Sequence, residues 1–505
     1  MTGTTTTPVR LAVLGAGGRG ADAYGRWVRA HPDRARIVAV ADPDHARLDA
    51  LAGTTAARYP GWEDLVADLG RLRPDAVIVA LPDALHVAAA TAVAGAGLPM
   101  LLEKPAAPSL TDLAELARVV RRTDARIAVG HVLRFAPFWR AVRAVVEAGA
   151  LGDLATIEVR ENIGFWHFAH SFVRGNWRNT AESSPMVLAK TCHDLDLIRW
   201  LAGAAPRTVV SEGSLLHFRP ENAPVGAPAR CTDGCPAAAD CPFFAPRYYL
   251  DALRDHTGHP VTMLGDDLSP AGRLAALRRG PYGRCVYHSD NDVADHQQTL
   301  LRFPSGLTAT LTASAFTAEN TRHLAITGTR GQLHGHMESG EIRVDLFSPS
   351  GRLPEAVPGA RLVESGTDGP LGHATHTLLA QPVPDPGSGL VPGAADGATP
   401  GATPGAMADG GPSGRGGHAG GDDGLMDAFC RAVADDAVGR GELSFATALD
   451  SHLMAFAAEE SRAGAGVVDF GSWSGAALSF LGRSSSRGSV GPGSLGPGSV
   501  GGGAR

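Results

Sequence analysis

The chain lacks any run of eighteen apolar residues, so its 505 residues offer no membrane-spanning helix. It also lacks a block of Lys or Arg, and its formal net charge is −7. A basic nucleic-acid-binding surface is therefore not expected. The first residues, Met1 to Pro8, are Thr-rich and carry no charged-then-apolar signal pattern. The expectation is a cytoplasmic protein with neither membrane nor nucleic acid as a partner. Cysteine is scarce, with six in all: Cys192, Cys231, Cys235, Cys241, Cys285 and Cys430. In a cytosolic chain disulfides are disfavoured, so any cluster reads as metal-binding or incidental. No internal repeat is visible. What the chain has in quantity is apolar residues, 44%, enough for packed cores, and 64 glycines that are unevenly spread.

Residues 9 to about 130 alternate apolar runs with helical patterns. Strands are predicted at Arg10–Leu14, Ile37–Ala41, Ala76–Leu81, Pro99–Glu103 and Arg126–Gly130, with helices such as Ala84–Ala96 and Thr111–Arg121 between them. Ser109 and Asp112 supply a capping signal for the second helix. This alternation predicts an α/β domain, residues 1–130, with a parallel sheet covered on both faces. After Gly152 the character changes. Ala155–Arg160 reads as a strand, Thr299–Phe303 and Leu307–Thr312 as a hairpin around Pro304-Ser305-Gly306, and Leu324–Thr327 and Glu341–Leu346 as further strands. Residues 131–375 are therefore expected to be an α+β domain with an antiparallel sheet, interrupted by a Cys-containing insertion at 215–293. Residues 376–424, dominated from about 380 by Gly, Ala and Pro, read as a flexible linker. Helices at Leu425–Asp435 and Phe445–Arg462 follow, within 425–470. Residues 471–505 read as a disordered tail.

Gly15-Ala16-Gly17-Gly18-Arg19-Gly20 follows a predicted strand and opens a helix, the context that a G-x-G-x-x-G match requires. Glycines permit a tight turn and close approach to a pyrophosphate, whose charge the helix N-terminus attracts. A second strand ends at Ala41-Asp42, twenty-two residues after Gly20. An acid there suits ribose hydroxyls and repels a 2′-phosphate, which favours NAD. Arg47, one turn on, leaves NADP open. A cap for the next helix is the plainer role for Asp42. Lys104 ends a buried strand, between Glu103 and Pro105, and the carboxyl ends of such strands face the ligand crevice.

With the glycine turn, Pro82-Asp83-Ala84-Leu85-His86, Glu103-Lys104-Pro105, Arg134-Phe135-Ala136-Pro137 and a His-Asp helix start, the chain resembles the Gfo/Idh/MocA family of NAD(P)-dependent oxidoreductases. The resemblance implies a Rossmann domain, then an α+β domain with an open, mostly antiparallel sheet that commonly packs face to face in a homo-oligomer. It implies C-terminal helices that pack back on the core, and hydride transfer between NAD and a sugar, inositol or related polyol bound between the domains. It assigns cofactor contacts to Gly15, Gly17, Gly18, Arg19, Gly20, Asp42, Pro82, His86, Glu103 and Lys104, and gives Lys104 contact with the substrate as well.

Leu188 to Asp196 reads as one helix, with Leu188, Cys192 and Leu195 on a core face and Lys190, His193 and Asp194 on the other. The family's catalytic histidine matches His193. Ala189 stands where many members have an Asp, and Lys190 is expected to take part of that space, joining Lys104 and His193 as catalytic residues. A cation so near would depress the imidazole pKa and favour a neutral base. A capping or core histidine is the competing reading. Asp194, His167, His170 and Arg174 are further substrate candidates, the last three from an aromatic and polar stretch that could equally be ordinary loop packing. Cys231-x3-Cys235-x5-Cys241 and the later Cys285 could form a closed, structural zinc site, an iron–sulfur site or free thiols. An NAD-dependent glycosidase of related fold and a non-catalytic dinucleotide- or sugar-sensing regulator are the competing functions, because fold does not fix function.

Overall fold

The structure, a computed structural model, describes residues 7–381 and 418–480. Six strands form the first sheet: β1 Val9–Leu14, β2 Ala35–Ala41, β3 Ala57–Tyr59, β4 Ala76–Val79, β5 Met100–Leu102 and β6 Ile127–Val129. Their order is β3-β2-β1-β4-β5-β6 and every pairing is parallel. Helices cover both faces, which is why β4, β5 and β6 are buried at every residue and read as unbroken apolar runs. Strand order reverses between β1 and β4, and this switch point opens a crevice at the carboxyl ends of the strands.

The second sheet has ten strands: β7 Leu154–Gly164, β8 Thr208–Ser214, β9 His296–Arg302, β10 Thr308–Thr317, β11 Thr321–Gly328, β12 Gly331–His336, β13 Glu341–Leu346, β14 Ala360–Asp368, β15 His373–Ala380 and β16 Val468–Asp469. The order is β14-β15-β13-β12-β11-β7-β10-β9-β8-β16, antiparallel except for the β7–β10 pair. Burial alternates along β9 and β11, as one covered and one open face require. Helices Pro137–Glu147 and Cys192–Ala202 lie on the covered face. Helix Phe445–Glu460 packs on Cys192–Ala202 and also touches helix Leu110–Thr123 and β6, so it ties the two sheets together.

Several expectations need correction. The helix predicted over Leu188–Asp196 is two helices, Met186–Ala189 and Cys192–Ala202, broken at Lys190 and Thr191. Thr191 turns its hydroxyl back onto the Val187 carbonyl, the local competition that makes Thr a poor helix-interior residue. Strands β3, β8, β12, β14, β15 and β16 are absent from the sequence reading. β12 is Gly-Gln-Leu-His-Gly-His, low in strand propensity, and β14 is exposed along most of its length, so neither shows a period-two apolar signal. Strand β15 runs into the stretch assigned to a linker, and helix Gly421–Ala434 begins inside it; residues 382–417 lie outside the described residues. The supposed disordered tail is helical over Phe470–Phe480, where Trp473 and Leu478 pack on the core. Residues beyond 480 lie outside the described residues.

Candidate active site

The crevice begins at the glycine turn after β1. Gly15 has φ +96°, and a Cβ there would stand 2.3 Å from the Ala80 carbonyl oxygen; at Gly20 it would stand 1.9 Å from that of Gly15. Both glycines are demanded by close backbone approach. Gly17 is different, because a Cβ on it would meet nothing within 4 Å. It borders open space, and the helical turn Gly18–Gly25 starts beside it with no side-chain cap. An open cradle with uncapped N–H groups fits a dinucleotide pyrophosphate. The two kinds of glycine should therefore separate on mutation. Gly20→Ala is expected to cost about 1–3 kcal/mol of stability by overpacking. Gly17→Ala is expected to leave stability unchanged and weaken NADH binding. Urea denaturation and fluorescence titration with NADH check the pair; equal stability losses would contradict the assignment.

Asp42 ends β2 and is buried. One carboxylate oxygen accepts the Ala16 N–H at 2.7 Å and the other accepts the Asp44 N–H at 2.9 Å. It therefore fixes the glycine turn while keeping lone pairs for another donor. The helix-capping task falls to Asp44, which accepts from the Ala46 and Arg47 amides. Arg47 is ion-paired to Asp44 at 3.4 Å.

Arg19 and Glu103, both expected to contact the cofactor, are paired with each other at 2.7 Å. Glu103 also accepts from the Tyr24 hydroxyl and, at 3.0 Å, from the Lys104 amide, while Arg19 reaches Asp422 of helix Gly421–Ala434 at 2.7 Å. Burial would raise the Glu103 carboxyl, but the Arg19 charge and the hydrogen bonds from Tyr24 and Arg19 hold it below the ordinary value. This buried cluster joins the glycine turn, the strand bearing Lys104 and the C-terminal helix. His86 is likewise a clamp. Its two ring nitrogens meet the carbonyls of Pro105 and Leu81, at 2.7 and 2.9 Å, which leaves neither free for a cofactor. Pro82 sits at the start of the short 3-10 turn Asp83–Leu85, just past β4.

Lys104 emerges from this scaffold with little to hold it. Its Nζ donates to the Ala189 carbonyl at 3.4 Å, and among the described residues no carboxylate lies within ion-pair distance of it. Ala189, at the position where the resemblance leads one to expect an acid, offers the lysine only its backbone carbonyl. The loop after Lys104 is anchored from far along the chain. His452 accepts the Ala106 N–H at Nε2 (2.9 Å) and, through Nδ1, donates to the Ala448 carbonyl (2.7 Å), an arrangement that requires a neutral ring. Burial lowers its pKa to about 3.

His193 lies in the first turn of helix Cys192–Ala202, buried, with no hydrogen-bond partner on either ring nitrogen. An unsatisfied buried polar group costs roughly 1–3 kcal/mol and calls for a reason. Its neighbours are the rings of His131 and His418, at 5.8 and 5.6 Å between centroids. Burial first, then the charge of Lys104, pushes its pKa well below the ordinary imidazole value. Lys190 is not the depressing cation. Its Nζ is spent on Glu161 at 3.1 Å, and Glu161 also faces Arg322, which holds Asp194, each at 2.8 Å. Burial outweighs Arg322 and Lys190 and pushes the Glu161 carboxyl up. Below His193 in its helix, the two oxygens of Asp196 accept from Nε and Nη2 of Arg134, whose Nη1 donates to the Glu442 carbonyl.

Two of the substrate candidates are placed elsewhere. His170 is buried, bonded to the Tyr249 hydroxyl at 2.6 Å and stacked on Tyr282. Arg174 is buried and donates to the Arg284 and Phe243 carbonyls, at 2.7 Å each. Both fasten the insertion, so the packing alternative holds for them. His167, half-buried, bonds Asn320 at 2.8 Å. A cavity of about 460 Å³ lies on the open face of the second sheet among Arg160, His323, His334 and His336, remote in chain position from Lys104. Tyr24, Glu161, Arg322, His418, Asp422 and His452 were not singled out from sequence. Nor was His131, although it stands two residues past β6 at the same strand end as the crevice, and the rule that found Lys104 would also have found it.

The chain matches two family profiles, one described as an oxidoreductase family with an NAD-binding Rossmann fold over residues 9–131 and the other as the Gfo/Idh/MocA C-terminal domain over residues 139–334. It is 34% identical over 197 residues to inositol 2-dehydrogenase 1 of Saccharopolyspora erythraea, covering 38% of this chain and 54% of that protein. It is 30% identical over 204 residues to inositol 2-dehydrogenase of Corynebacterium glutamicum strain R, covering 39% and 55%. The matched stretch thus spans about half the length of these relatives. Among solved structures, a levoglucosan dehydrogenase in complex with NADH and levoglucosan superposes with TM-score 0.61 at 18% identity, covering 92% of this chain and 99% of the other. An oxidoreductase from Agrobacterium radiobacter in complex with NAD+, L-tartaric acid and magnesium superposes with TM-score 0.56 at 18% identity, over 92% and 100%. With both profiles matched in order across the two sheets, the chain belongs to the Gfo/Idh/MocA oxidoreductase family.

Proposed function

We propose that this protein is an NAD-dependent dehydrogenase that oxidises a secondary hydroxyl of an inositol, sugar or related polyol. The observation that carries the reading is the conjunction of Lys104, whose ammonium has a single weak protein partner, with His193, a buried neutral imidazole whose nitrogens have none. Two incompletely satisfied groups of this kind suit one substrate oxygen. Lys104 Nζ donates to the hydroxyl oxygen and stabilises the negative charge that develops on it, while a ring nitrogen of His193 takes its proton. When bound, the nicotinamide supplies the hydride acceptor. Gly17, Gly18 and the uncapped start of helix Gly18–Gly25 would hold its pyrophosphate, and the Asp42 carboxylate would disfavour the 2′-phosphate of NADP. Glu161, Lys190, Asp194 and Arg322 form a buried charged group that fixes the residues flanking His193. The named inositol dehydrogenases among the relatives support a cyclic polyol as the substrate class.

The test is a reduction screen with NAD⁺ and NADP⁺ over inositols, aldoses and sugar acids, read as absorbance of the reduced cofactor. Reduction with at least one cyclic polyol or sugar, and a preference for NAD⁺ of at least about tenfold (about 1.4 kcal/mol), is expected. Binding of NADH without reduction by any of these compounds would instead favour a sensor.

A further inference from the structure

The insertion between β8 and β9 has only a small core of its own, around Tyr249, Leu253, Leu277 and Tyr282. A long connection of this kind needs something else to order it. Its four cysteines converge. Cys231 and Cys285 sit on neighbouring antiparallel segments, bridged at Arg230 and Arg284, with the Cys231 N–H on the Gly283 carbonyl and the Cys285 N–H on the Ala229 carbonyl, both at 2.9 Å. Cys235 and Cys241 join them around one cavity of about 10 Å³, room for a single small ion. None of the four is in a disulfide.

One buried cation faces the cluster. Arg174, 2% exposed, reaches Cys231 Sγ at 3.6 Å beside its bonds to the Arg284 and Phe243 carbonyls. Its charge would offset part of the double negative charge of four thiolates around a divalent cation.

We propose that Cys231, Cys235, Cys241 and Cys285 bind one structural Zn²⁺ that fixes the insertion against the helical segment Phe165–Arg174. Binding draws the sulfurs inward. They stand wider apart than a closed set, since among the described residues only Glu319, His323 and His336 bring three donor atoms within 4.8 Å of one another. In the zinc site each sulfur would lie about 2.3 Å from the metal, each thiol giving up its proton to solvent, with no coordination position left for chemistry.

Metal analysis of the full chain, purified without added metal, is expected to give about one zinc per chain and no iron. A mercurial that blocks thiols should release that zinc, and Co²⁺ exchanged into the site should show thiolate-to-metal charge-transfer bands. Cys235→Ser and Cys241→Ser should each reduce zinc to about a tenth or less and remove the cobalt bands, whereas His323→Ala should change neither. If the cysteine variants do not fold, mercurial release and the cobalt spectrum of the wild-type chain still decide. Iron with inorganic sulfide, failure of the reduced protein to take up Zn²⁺ or Co²⁺, or zinc lost in His323→Ala and kept in both cysteine variants would each overturn the assignment.

Discussion

Replacing Lys104 by methionine is expected to lower kcat by about 10²–10⁴-fold, the range over which a positioned proton donor acts. The substitution keeps the unbranched apolar stem and removes only the ammonium. That ammonium contributes little to the fold, since its single hydrogen bond is a 3.4 Å contact to the Ala189 carbonyl. The thermal midpoint should therefore stay within a few degrees of wild type. NADH affinity should change far less than kcat, because the glycine turn and Asp42 are untouched. The scaffold below Lys104 is what makes this separation expected: Glu103 is held by Arg19 and Tyr24, His86 clamps the Leu81 and Pro105 carbonyls, and His452 holds the Ala106 amide. Steady-state kinetics, NADH titration and thermal unfolding on one preparation check it. A variant that keeps kcat within about tenfold would remove Lys104 from the chemistry.

How much of this site the chain discloses depends on whether a residue's task is local. The glycine turn and Lys104 are legible because each sits at the end of a buried strand, and an apolar run followed by a glycine or a charge is a contiguous pattern. Gly15 and Gly20 are glycines for a reason internal to the turn and its neighbouring strand. Arg19 and Glu103 were legible as site residues, but not as each other's partners. Their arrangement depends on Asp422, hundreds of residues away, and nothing in the spacing of that helix marks it as a partner. The same is true of His452, which nothing in the spacing of its helix sets apart from Asp450 and Ser451 beside it. His170 and Arg174 misled for the converse reason. A polar, aromatic stretch looks like a binding surface until the insertion that buries it is folded over it. The break at Lys190–Thr191 was a local failure: the face assignment assumed an unbroken helix, and it therefore gave Lys190 a place beside His193 that the ion pair with Glu161 denies it. The open second sheet was readable where burial alternates, as in β9, and unreadable where a strand is exposed along most of its length, as in β14.

The environment of His193 leads to a further expected result, in the pH dependence of the rate. A general base must be unprotonated, and activity is lost as pH falls through its pKa. Burial, followed by the charges of Lys104, His418, His131 and Arg322, shifts that pKa well below the ordinary imidazole value. The acid limb of kcat/KM should therefore lie below about pH 6.5, with a flat profile from there to pH 8. His193→Asn should lower kcat by about 10²–10⁴-fold and abolish the limb, with residual activity rising with pH as hydroxide replaces the base. Stability should not fall, because both ring nitrogens lack partners and their loss breaks no hydrogen bond. Ala189 supplies the second arm. An aspartate there would place a carboxylate near Lys104, offset part of the charge that depresses His193, and move the limb to higher pH. That upward shift in Ala189→Asp, together with a limb absent from His193→Asn, would assign the titrating base to His193. A limb that persists in His193→Asn would exclude it. A limb unmoved in Ala189→Asp would show that burial alone, and not Lys104, sets the protonation state of this histidine.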